Sequence, residues 1–168
     1  MSYKYFSPDG GLPGQKQLLT DRAIFTEAYA VIPEGTMRDI VTSFLPFWQS
    51  TRVWVIARPM SGFAETFSQY IMEVQPRGGS DRPELDPEAQ GVLFVVKGTA
   101  TLRLNGQIYR LKPGGYAYLP PSSGWTLHNT NREVLCFHWV RKVYDRVEGI
   151  DRPNVLIANE NDITPTPM

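Results

Sequence analysis

The stretch that decides the fold runs from Val92 to Pro121, VLFVVKGTATLRLNGQIYRLKPGGYAYLPP. Short apolar runs alternate with turn signals at Lys97-Gly98, Asn105-Gly106, Pro113-Gly114-Gly115 and Pro120-Pro121. Asn-Gly between two alternating runs is the strongest short-range hairpin signal, because both central positions of that tight turn need positive φ. Successive side chains of a strand point to opposite faces, so Thr99, Thr101 and Arg103 share one face and Ala100, Leu102 and Leu104 the other. Two hairpins in tandem predict the middle of an all-β sandwich or barrel.

Working outward, the flanking sequence continues in short strands. On the N-terminal side, RVWVIARP (Arg52 to Pro59) alternates, and FSQYIMEV (Phe67 to Val74) reads as a further strand. Between it and the hairpins, QPRGGSDRPELDPEAQ (Gln75 to Gln90) has no period and is rich in Pro, Gly and acid, which predicts a long loop. On the C-terminal side, Trp125 to Asn129 is a short strand and VLCFHWVRKVY (Val134 to Tyr144) a long one, with Cys136, His138 and Val140 on one face. Ala23 to Ile32 reads as a strand or a short helix, and Ile40 to Phe44 as a short apolar piece. The expected division is an extended arm over 1–20, one barrel over 21–150 and a linker-like tail over 151–168.

Bulk numbers narrow the class. A length of 168 residues fits one domain with a real core. Lys plus Arg equals Asp plus Glu at 17 each, so no global field draws nucleic acid or an anionic membrane. The lone Cys136 cannot form an internal disulfide, the N-terminus shows no signal-peptide pattern, and no apolar run approaches a membrane span. A soluble, cytoplasmic protein is the expectation.

Two spacings carry more than composition. One is Gly78, five residues, Glu84, one, Asp86, four, Gly91, six, Gly98. The other is Gly114, five residues, Pro120, one, Ser122, two, Trp125, three, Asn129. They resemble the two motifs of the cupin superfamily, small antiparallel jelly-roll β-barrels. In a metal-binding cupin the first motif supplies two His and a Glu, and the second another His. Here those positions hold Glu84, Asp86, Gly91 and Trp125. Gly91 offers no ligand atom and Trp125 is a bulky donor, so no metal is expected in this chain.

Longer wording resembles one family in particular. AIFTEAYAVIPEG, PMSGFAETFSQYIMEV, GVLFVVKGTATL, GGYAYLPPSSGWTL and WVRKVYDRVEG are similar to the N-terminal half of (S)-ureidoglycine aminohydrolases. The resemblance implies a bicupin of allantoin and purine catabolism that releases ammonia from ureidoglycine. It further implies that manganese sits in the family's second cupin half, and that this metal-free half is inactive alone. A homodimer, or pairing with a second cupin chain, is the expected assembly.

The remaining candidates are weighed residue by residue. Glu73, Arg103, Tyr109, Tyr116, Tyr118, Trp125 and His138 could line a small-molecule pocket in the barrel mouth, or fill the barrel as packing. Of these, Glu73, Arg103, Tyr116, Tyr118, Trp125 and His138 are the candidate ligand-binding set. His138 could act as a base, but a hydrogen-bonded core His is the commoner outcome. Glu84, Asp86 and Glu88 could make an all-oxygen cation site, against the simpler reading of a solvated acidic loop in which Asp81 and Arg82 neutralise each other. His128 is expected to face outward without a partner. Cys136 lacks an adjacent base, and Ser122-Ser123-Gly124 lacks a nucleophile-elbow pattern, so no catalytic residue is assigned.

Overall fold

The computed structural model describes residues 24–25, 29–32, 43–57 and 66–164. Among them the chain forms β1 (Ile24–Phe25), β2 (Ala30–Val31), β3 (Gln49–Ala57), β4 (Ser68–Ser80), β5 (Ala89–Lys97), β6 (Ala100–Leu104), β7 (Gln107–Leu111), β8 (Gly115–Leu119), β9 (Trp125–His128), β10 (Leu135–Val143) and β11 (Leu156–Asn159). A single 3₁₀ turn, Glu160–Asp162, follows, and no α-helix is present among these residues. The strands after β2 join in one antiparallel array ordered β11-β8-β5-β10-β4-β9-β6-β7, with β3 on the free side of β4. The result is the nearly closed jelly-roll barrel that the motifs imply.

β4 is the hinge between the two walls. Its first part pairs with β10 and β3, from Val74↔Leu135 to Ser68↔Arg141. Its end pairs with β9, Gly79↔His128 and Ser80↔Leu127. Between them Gln75, Pro76, Arg77 and Gly78 stand opposite the single residue Ser50, because Gln49 pairs with Gly79 and Thr51 with Val74. This bulge corrects the expectation of a loop from Gln75 onward. The strand continues to Ser80, and its period was lost because the backbone turns at Arg77 (φ 66°) and Gly79 (φ 141°). Asn129, fully buried, satisfies the freed groups. Arg77 N–H donates to its carbonyl at 2.9 Å, and its own N–H donates to Gly78 O at 2.9 Å.

Facing residues across each register alternate cleanly between core and outside. Inside lie Met72, Val74, Leu93, Val95, Leu102, Leu104, Leu119, Leu127, Leu135 and Phe137, all with at most 1% of their surface exposed. Fully burying side chains of this size contributes about 1.5–3 kcal/mol each. The Asn105-Gly106 turn has φ of 49° and 79°, as the β6–β7 hairpin requires, and Ala100, Leu102 and Leu104 do face inward.

Two further expectations change. Within the linker-like tail, Leu156–Asn159 pairs with Tyr118–Gly115 and extends the sheet. Within Ala23 to Ile32 the expected single strand is instead two short ones, β1 and β2, with Ile24 paired to Val31 and Phe25 to Ala30. The 1–20 arm and most of the Ile40 to Phe44 piece lie outside the described residues. There Ser43 forms an isolated bridge to Val53.

Candidate functional site

The motif positions converge on one end of the barrel, and packing fills it. Trp125, from the start of β9, meets Trp139 of β10 edge to face, with ring centroids 5.8 Å apart and planes at 87°. Trp139 also packs on Tyr70 at 5.6 Å and Trp48 at 5.9 Å, and Trp48 reaches Phe137 at 6.1 Å. Trp48 Nε1 donates to Pro83 O at 3.4 Å, tying the preceding segment to the motif loop. Gly91 is bare because of Trp139: a Cβ there would stand 3.1 Å from the indole Nε1. That Nε1 is itself buried with no hydrogen-bond acceptor, so the group facing the former ligand position is a donor that cannot bind a cation.

Glu84, at the first ligand position, is committed elsewhere. Its Oε2 accepts from Arg141 Nε and its Oε1 from Arg141 Nη2, both at 2.6 Å. The same Oε1 accepts from the backbone N–H of Leu85 and Asp86, at 2.9 and 3.0 Å. Burial works to lower the Arg141 pKa, but the hydrogen bonds and charge of Glu84 outweigh it and raise it. Asp86 Oδ1 accepts from the N–H of Glu88 at 2.9 Å, so the acidic loop is organised by its own backbone. Among the described residues no group of three His, Cys, Asp or Glu is placed to hold a metal ion. A divalent metal does not fit the residues at these positions, which are a carboxylate already bound by Arg141, a glycine under an indole and a packed Trp125.

Of the candidate pocket residues, Trp125 is buried in the barrel and Tyr109 packs half-buried against the core on the Leu111 side of β7; both serve as packing. His138 lies on the opposite face of its sheet, in a row running Trp54, Ile71, His138, Phe94, Tyr116, Ala158 across β3, β4, β10, β5, β8 and β11. Tyr118 shares that face and donates to Gln90 Oε1 at 2.8 Å; burial first, then Tyr144, raises its pKa. Glu73 is there too, accepting from Arg52 Nε at 3.0 Å and Gln75 Nε2 at 3.1 Å. Arg103 is exposed on β6, on another part of the surface. Burial alone lowers the His138 pKa. Burial, then Glu73, raises that of Cys136 against the pull of Lys97, which keeps this free thiol protonated at neutral pH.

The inward phase of β10 was the decisive omission. Both phases of LCFHWVRKV look apolar at its start, so Leu135, Phe137, Trp139 and Arg141 could not be told from Cys136, His138 and Val140 by alternation. Arg141 was the available signal, since an Arg in the inward phase of a strand needs an anionic partner and the motif loop supplies Glu84. A second polar cluster was also missed. His128 Nε2 stands 3.5 Å from Asp81 Oδ1, and Arg82 stacks on Phe47 with its guanidinium carbon 4.9 Å from the ring centroid. Both facts correct the expected Asp81–Arg82 neutralisation and the partnerless His128.

Comparison with known proteins agrees with this geometry. The family profile described as Cupin domain matches residues 70–141. The chain is 26% identical over 137 residues to the (S)-ureidoglycine aminohydrolase of Escherichia coli strain K12, covering 80% of this chain and 50% of that protein. A solved structure from Pseudomonas aeruginosa, named as a glyoxylate-induced protein, shares 55% identity with a TM-score of 0.80 over 99% of this chain and 60% of its own. The Ylba protein of E. coli shares the fold at 24% identity and a TM-score of 0.75, over 90% of this chain and 61% of its own. The chain therefore spans between 50% and 61% of the length of these relatives. Strand order, motif spacing and the profile match over residues 70–141 together give this chain a cupin-type barrel. Within that class it resembles (S)-ureidoglycine aminohydrolase. No helix among the described residues is long and apolar enough to cross a membrane.

Proposed function

We propose that this chain is a ureidoglycine aminohydrolase-type protein of purine nitrogen recovery, and that it acts as the cupin half without the metal. The reaction is a hydrolysis. Water replaces the amine on the ureido-bearing carbon of (S)-ureidoglycine, the C–N bond breaks, and ammonia leaves with ureidoglycolate as the other product. The manganese chemistry belongs to a second cupin, on this chain's own continuation or on a partner. One observation carries the division of labour. The motif spacing is kept, yet its ligand positions hold a Glu84–Arg141 pair, a glycine under an indole and an edge-packed Trp125.

Other features support the setting. Ureidoglycine is chemically an aminal of glyoxylate, which fits the glyoxylate link in the P. aeruginosa relative's name. Exposed Val143, Val147, Ile150, Leu156 and Ile163 on the C-terminal segment supply apolar surface for pairing with a second cupin or a second copy. A cytoplasmic location suits the free Cys136. A second reading, a metal-free cupin that binds a small molecule or serves as an assembly module, is favoured by the open polar cleft beside the β4 bulge.

The test is ammonia release from (S)-ureidoglycine with manganese, by this chain alone and mixed with a metal-bearing cupin encoded beside it. Turnover in the mixture only is the expected result. Turnover by neither preparation eliminates the enzyme reading, and turnover by this chain alone eliminates the division of labour.

A further inference from the structure

We propose that the cleft beside the β4 bulge binds a small monocarboxylate through the guanidinium groups of Arg77 and Arg82. The cleft has a volume of about 170 Å³. At roughly 30 Å³ per water that is room for five or six waters, or one small organic acid. Phe47, Gln49, Arg77, Ser80, Arg82 and His128 form most of its lining, with Gly79 and Asp81. These residues are separate from the positions that the barrel interior fills.

Charge accounts for the ligand class. Arg52 and Arg141 both have carboxylate partners, whereas no described carboxylate lies within ion-pair distance of Arg77 or Arg82. Arg82 sets its guanidinium carbon 4.9 Å from the Phe47 ring centroid, and no described carboxylate occupies its N–H fork, whose planar geometry suits a carboxylate. The carboxylate that does line the cleft, Asp81, is turned to His128 at 3.5 Å. Two arginines and one aspartate leave a single positive charge when His128 is neutral, which matches a monoanion better than a phosphate dianion. Gln49 and Asp81 can then accept from an O–H or N–H on the ligand.

The backbone is shaped for the cleft. Phe47 (φ 64°), Ser50 (φ 48°) and Arg77 (φ 66°) are three of the five described non-glycine residues with positive φ, and all three lie at the bulge or on the cleft wall. Backbone strain of this kind costs on the order of 1–3 kcal/mol per residue and gathers where a geometry is used. Gly79 completes the wall. A Cβ there would stand 2.7 Å from His128 Cδ2 and 2.2 Å from Leu127 O, so only a bare Cα lets the imidazole seat against the strand.

The experiment is an NMR titration of the full 168-residue chain with glycolate, with inorganic phosphate in a parallel arm and sodium chloride at matched ionic strength as the control. Saturable shifts from glycolate at Arg77, Gly79, Ser80 and His128 are expected, with affinity about tenfold weaker in R82Q and in R77N, the change that follows from losing one charge-assisted hydrogen bond. R82Q alters an exposed side chain and decides the matter even if R77N disturbs the bulge. Non-saturating shifts, equal affinity in R82Q, or saturation by phosphate but not glycolate would each overturn the assignment.

Discussion

Two ends of β4 make opposite use of the same chemistry. At the motif end, charge and aromatic bulk are fully consumed. Arg141 is bound by Glu84, and the indoles of Trp48, Trp125 and Trp139 pack against one another. At the bulge end, the guanidiniums of Arg77 and Arg82 have no carboxylate partner among the described residues, and three non-glycine residues sit at positive φ around an open cleft. The first end is closed, with one buried donor, Trp139 Nε1, left unpaired; the second is strained and open. One end of the barrel is thus filled by an ion pair and packed indoles, while the other leaves a polar cleft open. Which end carries function is then a question of what each can still bind.

Breaking the support under the open end gives the largest effect. Asn129 Nδ2 donates to Val74 O at 2.9 Å and to Glu133 O at 2.7 Å, and its Oδ1 accepts from Asn131 N–H at 3.0 Å. N129A strands these groups in a fully buried place and is expected to cost about 2–4 kcal/mol in urea unfolding. At the closed end, E84Q leaves Arg141 without its anion. The pair is partly accessible, at 27% and 15% side-chain exposure, so about 1–3 kcal/mol is expected rather than the full cost of a buried ion. The double variant E84Q/R141M should recover much of that loss. G91A drives a methyl toward the Trp139 indole and should cost about 1–2 kcal/mol, read by thermal denaturation.

Smaller effects sharpen the same contrast. His138, on the outer sheet face, has its pKa lowered from 6.5 by burial. Above that pH neither folded nor unfolded chain is protonated there, and the residue adds no pH dependence. As pH falls through 6.5 the unfolded chain takes up the proton first, so stability declines until the folded form titrates as well. An NMR titration should place its midpoint below 6.5, and H138Q should flatten the acid limb of the stability curve. R82Q should change stability by less than about 0.5 kcal/mol, because Arg82 serves the open cleft and not the fold.

The sequence disclosed the framework better than the site. Asn105-Gly106, Gly98 and Gly114 sit where positive φ is needed, so turn chemistry placed the hairpins directly. The two motif spacings placed the ligand positions, and the loss of donors at Gly91 and Trp125 was plain from residue type alone. What replaced them was not, because Trp48, Trp139 and Arg141 reach the motif end only through long-range pairing. β10 is apolar on both faces near its start, so His138 was set beside the barrel interior when Trp139 belongs there. The bulge was hidden for a related reason: QPRGG breaks the strand period, and only the distant Asn129 shows that the strand continues. Asp81 and Arg82 read as neutralising each other and His128 as outward-facing without a partner, whereas β9 brings all three to one wall.

The central claim is that the motif end of this barrel is closed to a metal. Manganese(II) titrated into the purified 168-residue chain, followed by the paramagnetic resonance signal of the free aqua ion, tests it directly. The free signal should rise linearly from the first addition, with no manganese retained by the chain after gel filtration. One manganese held per chain, released when Glu84 is replaced by Ala, would contradict the account.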